Sequence, residues 1–217
     1  MFVTVEGLDF CGKSTQTMRL VQRLEANHAE ESHRWPAVRS LREPGGTLIS
    51  ERLREILLDR THLEMTDIAE LFLFSASRAQ LVAEVIRPAL ERGEIVVCDR
   101  FYDSTTVYQG YGRGLSIDDV CYINRVATSG LTPDLTVFID VPLEEILRRR
   151  GNAGLPSDRM EESGRAFYER VHNGFEMLVR AEAGRIVKVD GMGAIKTVEG
   201  RVWQVFSERM SLSQKST

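Results

Sequence analysis

The sequence predicts an α/β fold, a five-stranded parallel sheet flanked by helices on both faces with a short lid, in one domain spanning residues 1–217. Three observations carry that reading. A strand, a glycine-bounded loop and a helix follow one another at the amino terminus. Apolar strand-like runs then alternate with segments of helical period. Charged pairs follow two of those runs, at the sheet edge where parallel sheets bind ligands.

Phe2 to Glu6 reads as a buried strand, and Gly7-Leu8-Asp9-Phe10-Cys11-Gly12-Lys13-Ser14 is a complete G-x-x-x-x-G-K-[ST] phosphate loop, with Thr15 continuing into a helix. Glycines at both ends let backbone N–H groups face an anion, and the helix adds its positive dipole end. A nucleoside triphosphate is the expected ligand, with Lys13 on its β/γ-phosphates and Ser14 on Mg²⁺. Met18, Val21 and Leu24 form the apolar stripe of that helix. A chance match in a strand-to-helix turn is the bland alternative, and the order of elements speaks against it.

Residues 27–36 are polar and read as an exposed connection. Ala37 to Leu41 is a short strand that ends in Arg42-Glu43-Pro44-Gly45-Gly46-Thr47, where proline and paired glycines force a loop. Ile49, Leu53, Ile56 and Leu57 recur at helical spacing. A longer helix runs from about Asp67 toward Arg92, kinked by Pro88 and ended by Gly93. It carries two apolar stripes, Ile68/Leu71/Phe72/Ala79/Val82/Ile86 and Phe74/Leu81/Val85, one for the sheet and one for a ligand or a partner subunit. Phe74 and Arg78, four residues apart, share a face and can bracket a planar polar ligand. Read singly, they are a core ring and a snorkelling surface cation.

Ile95 to Cys98 is a continuous apolar strand closed by Asp99-Arg100. Asp99 is the candidate acid for Mg²⁺ or its waters, and Asp140, closing the strand Leu135 to Ile139, competes for that role; Arg100 beside Asp99 tips the choice. Phe101 to Leu115 carries Ser104, Thr105, Tyr108 and Gln109 among glycines, either a pocket lining or an ordinary Gly-rich loop. Ile117 to Ser129 and Pro142 to Arg150 read as helices, the second with Arg148, Arg149 and Arg150 at its dipole-complementing end. Residues 151–160, with Asp158-Arg159, are the candidate lid. A helix over Phe167 to Ala183, a strand over Ile186 to Val189, a helix over Ala194 to Met210 and a frayed tail from Ser211 complete the chain.

At 217 residues the chain can bury a core without staples, and its net charge of −4 lacks the basic excess of a protein that grips nucleic acid by bulk electrostatics. Cys11, Cys98 and Cys121 have no C-x-x-C spacing, and the four histidines have no ligand spacing, so neither a disulfide framework nor a zinc site is indicated. Absence of an export signal or a membrane-spanning run, together with unpaired cysteines, suits a cytoplasmic protein with small-molecule partners.

From Phe2 to the last helix the chain resembles the bacterial thymidylate kinases, a family with the P-loop kinase fold. The resemblance rests on the phosphate loop with Asp9 inside it, Arg42-Glu43-Pro44-Gly45-Gly46-Thr47, Phe74-Ser75-Ala76-Ser77-Arg78, Asp99-Arg100 with Ser104, Tyr108-Gln109-Gly110, and Asp158-Arg159. It implies phosphorylation of dTMP by ATP with Mg²⁺ in a homodimer. It also implies Phe74 stacked on thymine, Arg78 on a base carbonyl, Arg42 and Arg100 on the acceptor phosphate, Asp9 on the 3′-hydroxyl and Tyr108 against a 2′-hydroxyl. Glu43 and Gln109 fall within the same motifs, Thr105 lies next to Ser104 as a further candidate contact to dTMP, and adenine would lie near Asp190 to Met192. Two departures stand out. Phe10 occupies a loop position where similar family members have Gly or Arg, and the stretch before Asp158 lacks the arginines a lid usually supplies. Arg148, Arg150 or Arg159 is left to serve as the lid cation.

Two other function classes remain open at this level. A deoxynucleoside kinase would need a carboxylate base, for which Glu43 is available, and a nucleotide-switch module would have no use for the Phe74/Arg78 pair. Cys11, in the loop beside Lys13 at a helix amino terminus, is either a thiol of lowered pKa or a small buried hydrophobe.

Overall fold

A computed structural model describes residues 1–153 and 164–215. Five parallel strands form one sheet in the order β2-β3-β1-β4-β5, with β1 Phe2–Glu6, β2 Val38–Arg42, β3 Ile95–Asp99, β4 Leu135–Asp140 and β5 Ile186–Asp190. Burial on both faces explains the near-continuous apolar runs of β1, β3 and β4. Side chains alternate along β3: Ile95 and Val97 join the larger apolar cluster with Val21 and Leu24, while Val96 and Cys98 join a second with Leu81, Ile86 and Phe101. Each fully buried side chain of that size contributes about 1.5–3 kcal/mol. Register places Val5 and Arg42 beside Asp99, and Glu6 beside Phe138, so the functional ends of three strands share one edge.

Helix α1, Lys13–Glu30, springs from that edge and buries Leu20, Val21 and Leu24, whereas Met18 is half exposed and lies off the inward stripe. Helix α2, Leu48–Leu58, is capped by Thr47, whose Oγ1 accepts from the Ser50 N–H at 3.1 Å. Ser50 Oγ donates to Ser77 O at 2.8 Å and ties α2 to α3, Asp67–Leu81. The expected long helix is present, but its break precedes Pro88: a π-helical turn, Val82–Ile86, leads into α4, Arg87–Glu91. Proline has no N–H and its ring crowds the carbonyl four residues back, so the ladder widens there and Arg87 N–H donates to Val82 O. Of the two stripes, Leu71, Leu81, Val82 and Ile86 are buried, while Ile68 and Phe72 face outward with Ile49 and Ile56 of α2.

The Gly-rich stretch after Arg100 is helical and not an ordinary loop. It forms α5, Tyr102–Thr105, and a π-helical run, Thr106–Gly112, followed by α6, Ile117–Ala127. Composition hid this because the glycines serve close packing: a Cβ on Gly112 would stand 2.6 Å from the Phe167 ring. Helices α7, Leu143–Ala153, and α8, Arg165–Ala181, flank a segment that contains most of the expected lid, including Asp158 and Arg159, and lies outside the described residues. The final helix α9, Ile195–Lys215, continues through the tail expected to fray. Arg209 holds it by donating to Asp134 O and Gly184 O at 2.7 and 2.8 Å. No helix among the described residues is long and apolar enough to cross a membrane.

Candidate active site

The phosphate loop turns sharply out of β1. Gly7 has φ 149°, and a Cβ there would meet Cys11 Sγ at 2.7 Å and Ile139 O at 2.8 Å. Phe10 adopts a left-handed φ of 63°, a conformation disfavoured for a ringed side chain, and its carbonyl accepts from Arg149 Nη1 at 3.3 Å. Lys13 is buried at the start of α1, its Nζ 3.3 Å from Leu8 O and 3.4 Å from Asp9 Oδ1. Cys11 turns inward beneath Gly7, and burial pushes its thiol up despite the opposing charge of Lys13. Of the two alternatives for Cys11, its burial favours the small hydrophobe, because a thiolate there would be desolvated.

Arg100 follows β3 with a left-handed φ of 68°. Its guanidinium donates to Asp9 Oδ1 at 2.6 Å, to Ser104 Oγ at 2.9 Å and to the Tyr108 hydroxyl at 3.3 Å. Tyr108 in turn donates to Asp9 Oδ2 at 3.1 Å. Burial alone would raise the Asp9 pKa, but the Arg100 and Lys13 charges outweigh it and hold the carboxyl well below its ordinary range. Underneath lies Glu6, fully buried, accepting from Phe101 N–H at 2.7 Å and Ser104 Oγ at 2.5 Å. Burial, helped by the Asp103 charge, pushes the Glu6 carboxyl up to about 8.

One cavity joins this cluster to the Phe74/Arg78 pair, with Pro44, Leu58, Phe101 and Gln109 along its walls. Arg78 is no surface cation. It is buried, with Nε 2.6 Å from Glu43 Oε1, Nη1 donating to Asn124 Oδ1 at 2.7 Å and Nη2 donating to Thr105 Oγ1 at 2.6 Å. Burial pushes the Glu43 carboxyl up against the opposing Arg78 charge. Thr105 thus orients Arg78, and Gln109 donates to Glu70 Oε1 at 2.8 Å from the same wall. Arg54 also lines the cavity and donates to Pro44 O at 2.9 Å. Arg42 does not join them. It faces the neighbouring cleft and pairs with Glu51 at 2.8 Å.

That cleft contains Ser14 and Asp99, and Asp99 Oδ1 is buried without a hydrogen-bond partner among the described residues. An orphaned carboxylate oxygen lining the same cleft as a hydroxyl from a helix amino terminus fits a hard oxygen-seeking cation. Asp140 is engaged elsewhere, 2.8 Å from His172 Nε2 and 3.2 Å from Lys188 Nζ, which favours Asp99 between the two.

Glu6, Asn124 and Arg149 were not singled out from sequence. The available signal for Glu6 was an acid closing an otherwise apolar buried strand. Asn124 lay in an unremarkable helix, and Arg149 could not be told from its neighbours. Arg148 and Arg149 both pair with Glu145, and Arg150 lies in the last turn of α7.

A family model described as thymidylate kinase matches residues 5–202. Curated relatives named thymidylate kinase include one from Chlorobaculum parvum, 46% identical over 200 residues that cover 88% of each chain. Another, from Chlorobium luteolum, is 42% identical over 217 residues, covering 96% of this chain and 98% of the relative. Among solved structures, a thymidylate kinase from Ehrlichia chaffeensis superposes with a TM-score of 0.75 at 31% identity, over 95% of this chain and 98% of the other.

Proposed function

The chain belongs to the thymidylate kinase family, and from that premise we propose that it transfers the γ-phosphoryl group of ATP to dTMP. The observation that carries this reading is the single cavity with a ring and a buried guanidinium, Phe74 and Arg78, at one end and the Arg100–Asp9–Tyr108 cluster beside Lys13 at the other. A pyrimidine with two carbonyls fits the first end, where stacking contributes about 1–3 kcal/mol. A phosphorylated sugar reaching the second end presents its phosphate to the phosphate loop.

An acceptor phosphate, with a second pKa near ~6, is largely dianionic at neutral pH and attacks without a general base. Lys13 and the N–H groups of Gly7 to Thr15 hold the donor phosphates, while Arg100 offsets repulsion between the two anions. Arg42 takes the acceptor phosphate as well once it exchanges Glu51 for it. Asp9 receives the 3′-hydroxyl, and Tyr108 walls off a 2′-hydroxyl. Ser14 and Asp99 would hold Mg²⁺, which when bound neutralises charge on the donor's phosphate oxygens. The lid cation is assigned to Arg150 or Arg159, and adenine to the turn at Asp190 to Met192, where Arg201 donates to both carbonyl oxygens.

The active unit is a homodimer in this reading. Its support is the row of exposed apolar side chains on three neighbouring helices: Ile49 and Ile56, Ile68 and Phe72, Tyr122 and Val126. A cytoplasmic location accords with free cysteines at positions 11, 98 and 121. A thymidine kinase reaction is disfavoured, because Glu43, the available base, is committed to Arg78. Assaying dTMP, dUMP, UMP, dCMP and thymidine with MgATP tests the proposal. It expects dTMP first and thymidine inert, and thymidine used as well as dTMP would refute it.

A further inference from the structure

Strand β1 is buried throughout and ends in an acid, Glu6, that no solvent reaches. Such a group persists only where its oxygens are engaged. Both are. Oε1 accepts from the Phe101 N–H at 2.7 Å and Oε2 accepts from Ser104 Oγ at 2.5 Å. These two donors anchor the segment that follows Arg100: Phe101 is next in the chain, and Ser104 lies one turn beyond and receives Arg100 Nη1 at 2.9 Å. Arg100 itself is held at φ 68°, a backbone state that a residue with a side chain keeps only when its surroundings over-determine it. Its own N–H is fixed to Val5 O at 3.0 Å, on the residue preceding Glu6.

We propose that Glu6 is the positioning residue of the acceptor-side arginine: by holding the Phe101 N–H and the Ser104 hydroxyl it fixes the left-handed turn at Arg100 and aims the guanidinium at the acceptor phosphate. This rests on the reading that Arg100 meets the phosphate of dTMP. The acid acts through Ser104 and Arg100 and touches no substrate. Glu6 sets the affinity for the acceptor and leaves the donor site, held by Lys13 and α1, largely alone.

The test is a set of steady-state measurements on Glu6→Ala, Glu6→Gln, Ser104→Ala and Arg100→Ala, with the Glu6→Ala/Arg100→Ala and Ser104→Ala/Arg100→Ala doubles. Glu6→Ala is expected to raise KM for dTMP about tenfold, the loss of one well-placed buried hydrogen bond, with KM for ATP changed less than about twofold. Glu6→Gln keeps an acceptor for Phe101 N–H and recovers most of the loss. In the Arg100→Ala background, Glu6→Ala adds less than about twofold, because the group it positions is gone. Should Glu6→Ala fail to fold, Ser104→Ala breaks the second link alone and is expected to give the same acceptor-selective, non-additive pattern. Equal rises in both KM values, or full additivity with Arg100→Ala, would overturn the proposal. Arg100→Ala with unchanged KM for dTMP would instead overturn the placement of Arg100, and the positioning role with it.

Discussion

Arg78→Met, alone and with Glu43→Gln, separates what the buried guanidinium does for the fold from what it does for the ligand. Arg78 and Glu43 are almost wholly buried and stand 2.6 Å apart, so removing the cation strands a carboxylate in a buried site. Breaking a buried pair costs about 3–5 kcal/mol. Asn124 Oδ1 and Thr105 Oγ1 lose their donors as well, at about 1 kcal/mol each. Protonation of Glu43, whose pKa burial already raises, limits the total to about 3–5 kcal/mol. That is a large share of the 5–15 kcal/mol typical of a whole domain. Urea denaturation at pH 7 should register it, and Glu43→Gln in the Arg78→Met background should return about 2 kcal/mol by removing the stranded charge. KM for dTMP should rise at least tenfold in both variants and should not recover with stability. If dTMP affinity returns together with stability in the double variant, Arg78 is only a strut. A single-variant loss under about 1 kcal/mol would refute the burial argument.

Tyr108→Phe should lower dTMP use several-fold by releasing Asp9 and one donor of Arg100, whereas a purely steric wall would leave dTMP kinetics unchanged. Iodoacetamide should leave Cys11 unmodified in the native protein over a time that labels exposed Cys121, as read by peptide mapping; MgATP-protected loss of activity through Cys11 would contradict its burial. His172 gains a hydrogen bond from pairing with Asp140 that raises its pKa above 6.5, so its stabilisation is complete below that value and disappears as pH rises through the folded pKa. Wild type should therefore exceed His172→Gln by about 0.5–1 kcal/mol at pH 6, with the gap closing by pH 9; a gap independent of pH would exclude the charged pair.

The sheet was legible because β1, β3 and β4 are written as near-continuous apolar runs, β3 ending in Asp99-Arg100, and because glycines and prolines punctuate the loops between them. That Phe74 and Arg78 share one helix face was legible from their spacing, but the burial of Arg78 against Glu43, Asn124 and Thr105 was not. What could not be read was which polar residues lie beneath the site. Glu6 and Asn124 act through contacts 95 and 46 residues distant in sequence, and no local period encodes such partners. The helical character of Tyr102 to Gly112 was hidden by glycines that serve packing against α8, and the inward turn of Cys11 by a loop motif that fixes backbone direction but not side-chain direction. Met18, Ile68 and Phe72 keep genuine helical spacing, but a period does not say which face turns inward, and theirs points outward.

The central claim is that one cavity orients a nucleotide with its base at Phe74 and Arg78 and its phosphate at Arg100, and a crystal structure of the protein with dTMP tests it most directly. The account predicts the thymine ring stacked on Phe74 with a carbonyl within hydrogen-bond distance of Arg78, the 3′-hydroxyl at Asp9 and the phosphate on Arg100. A base bound at the Arg100 end, or a phosphate seated against Arg78, would contradict it.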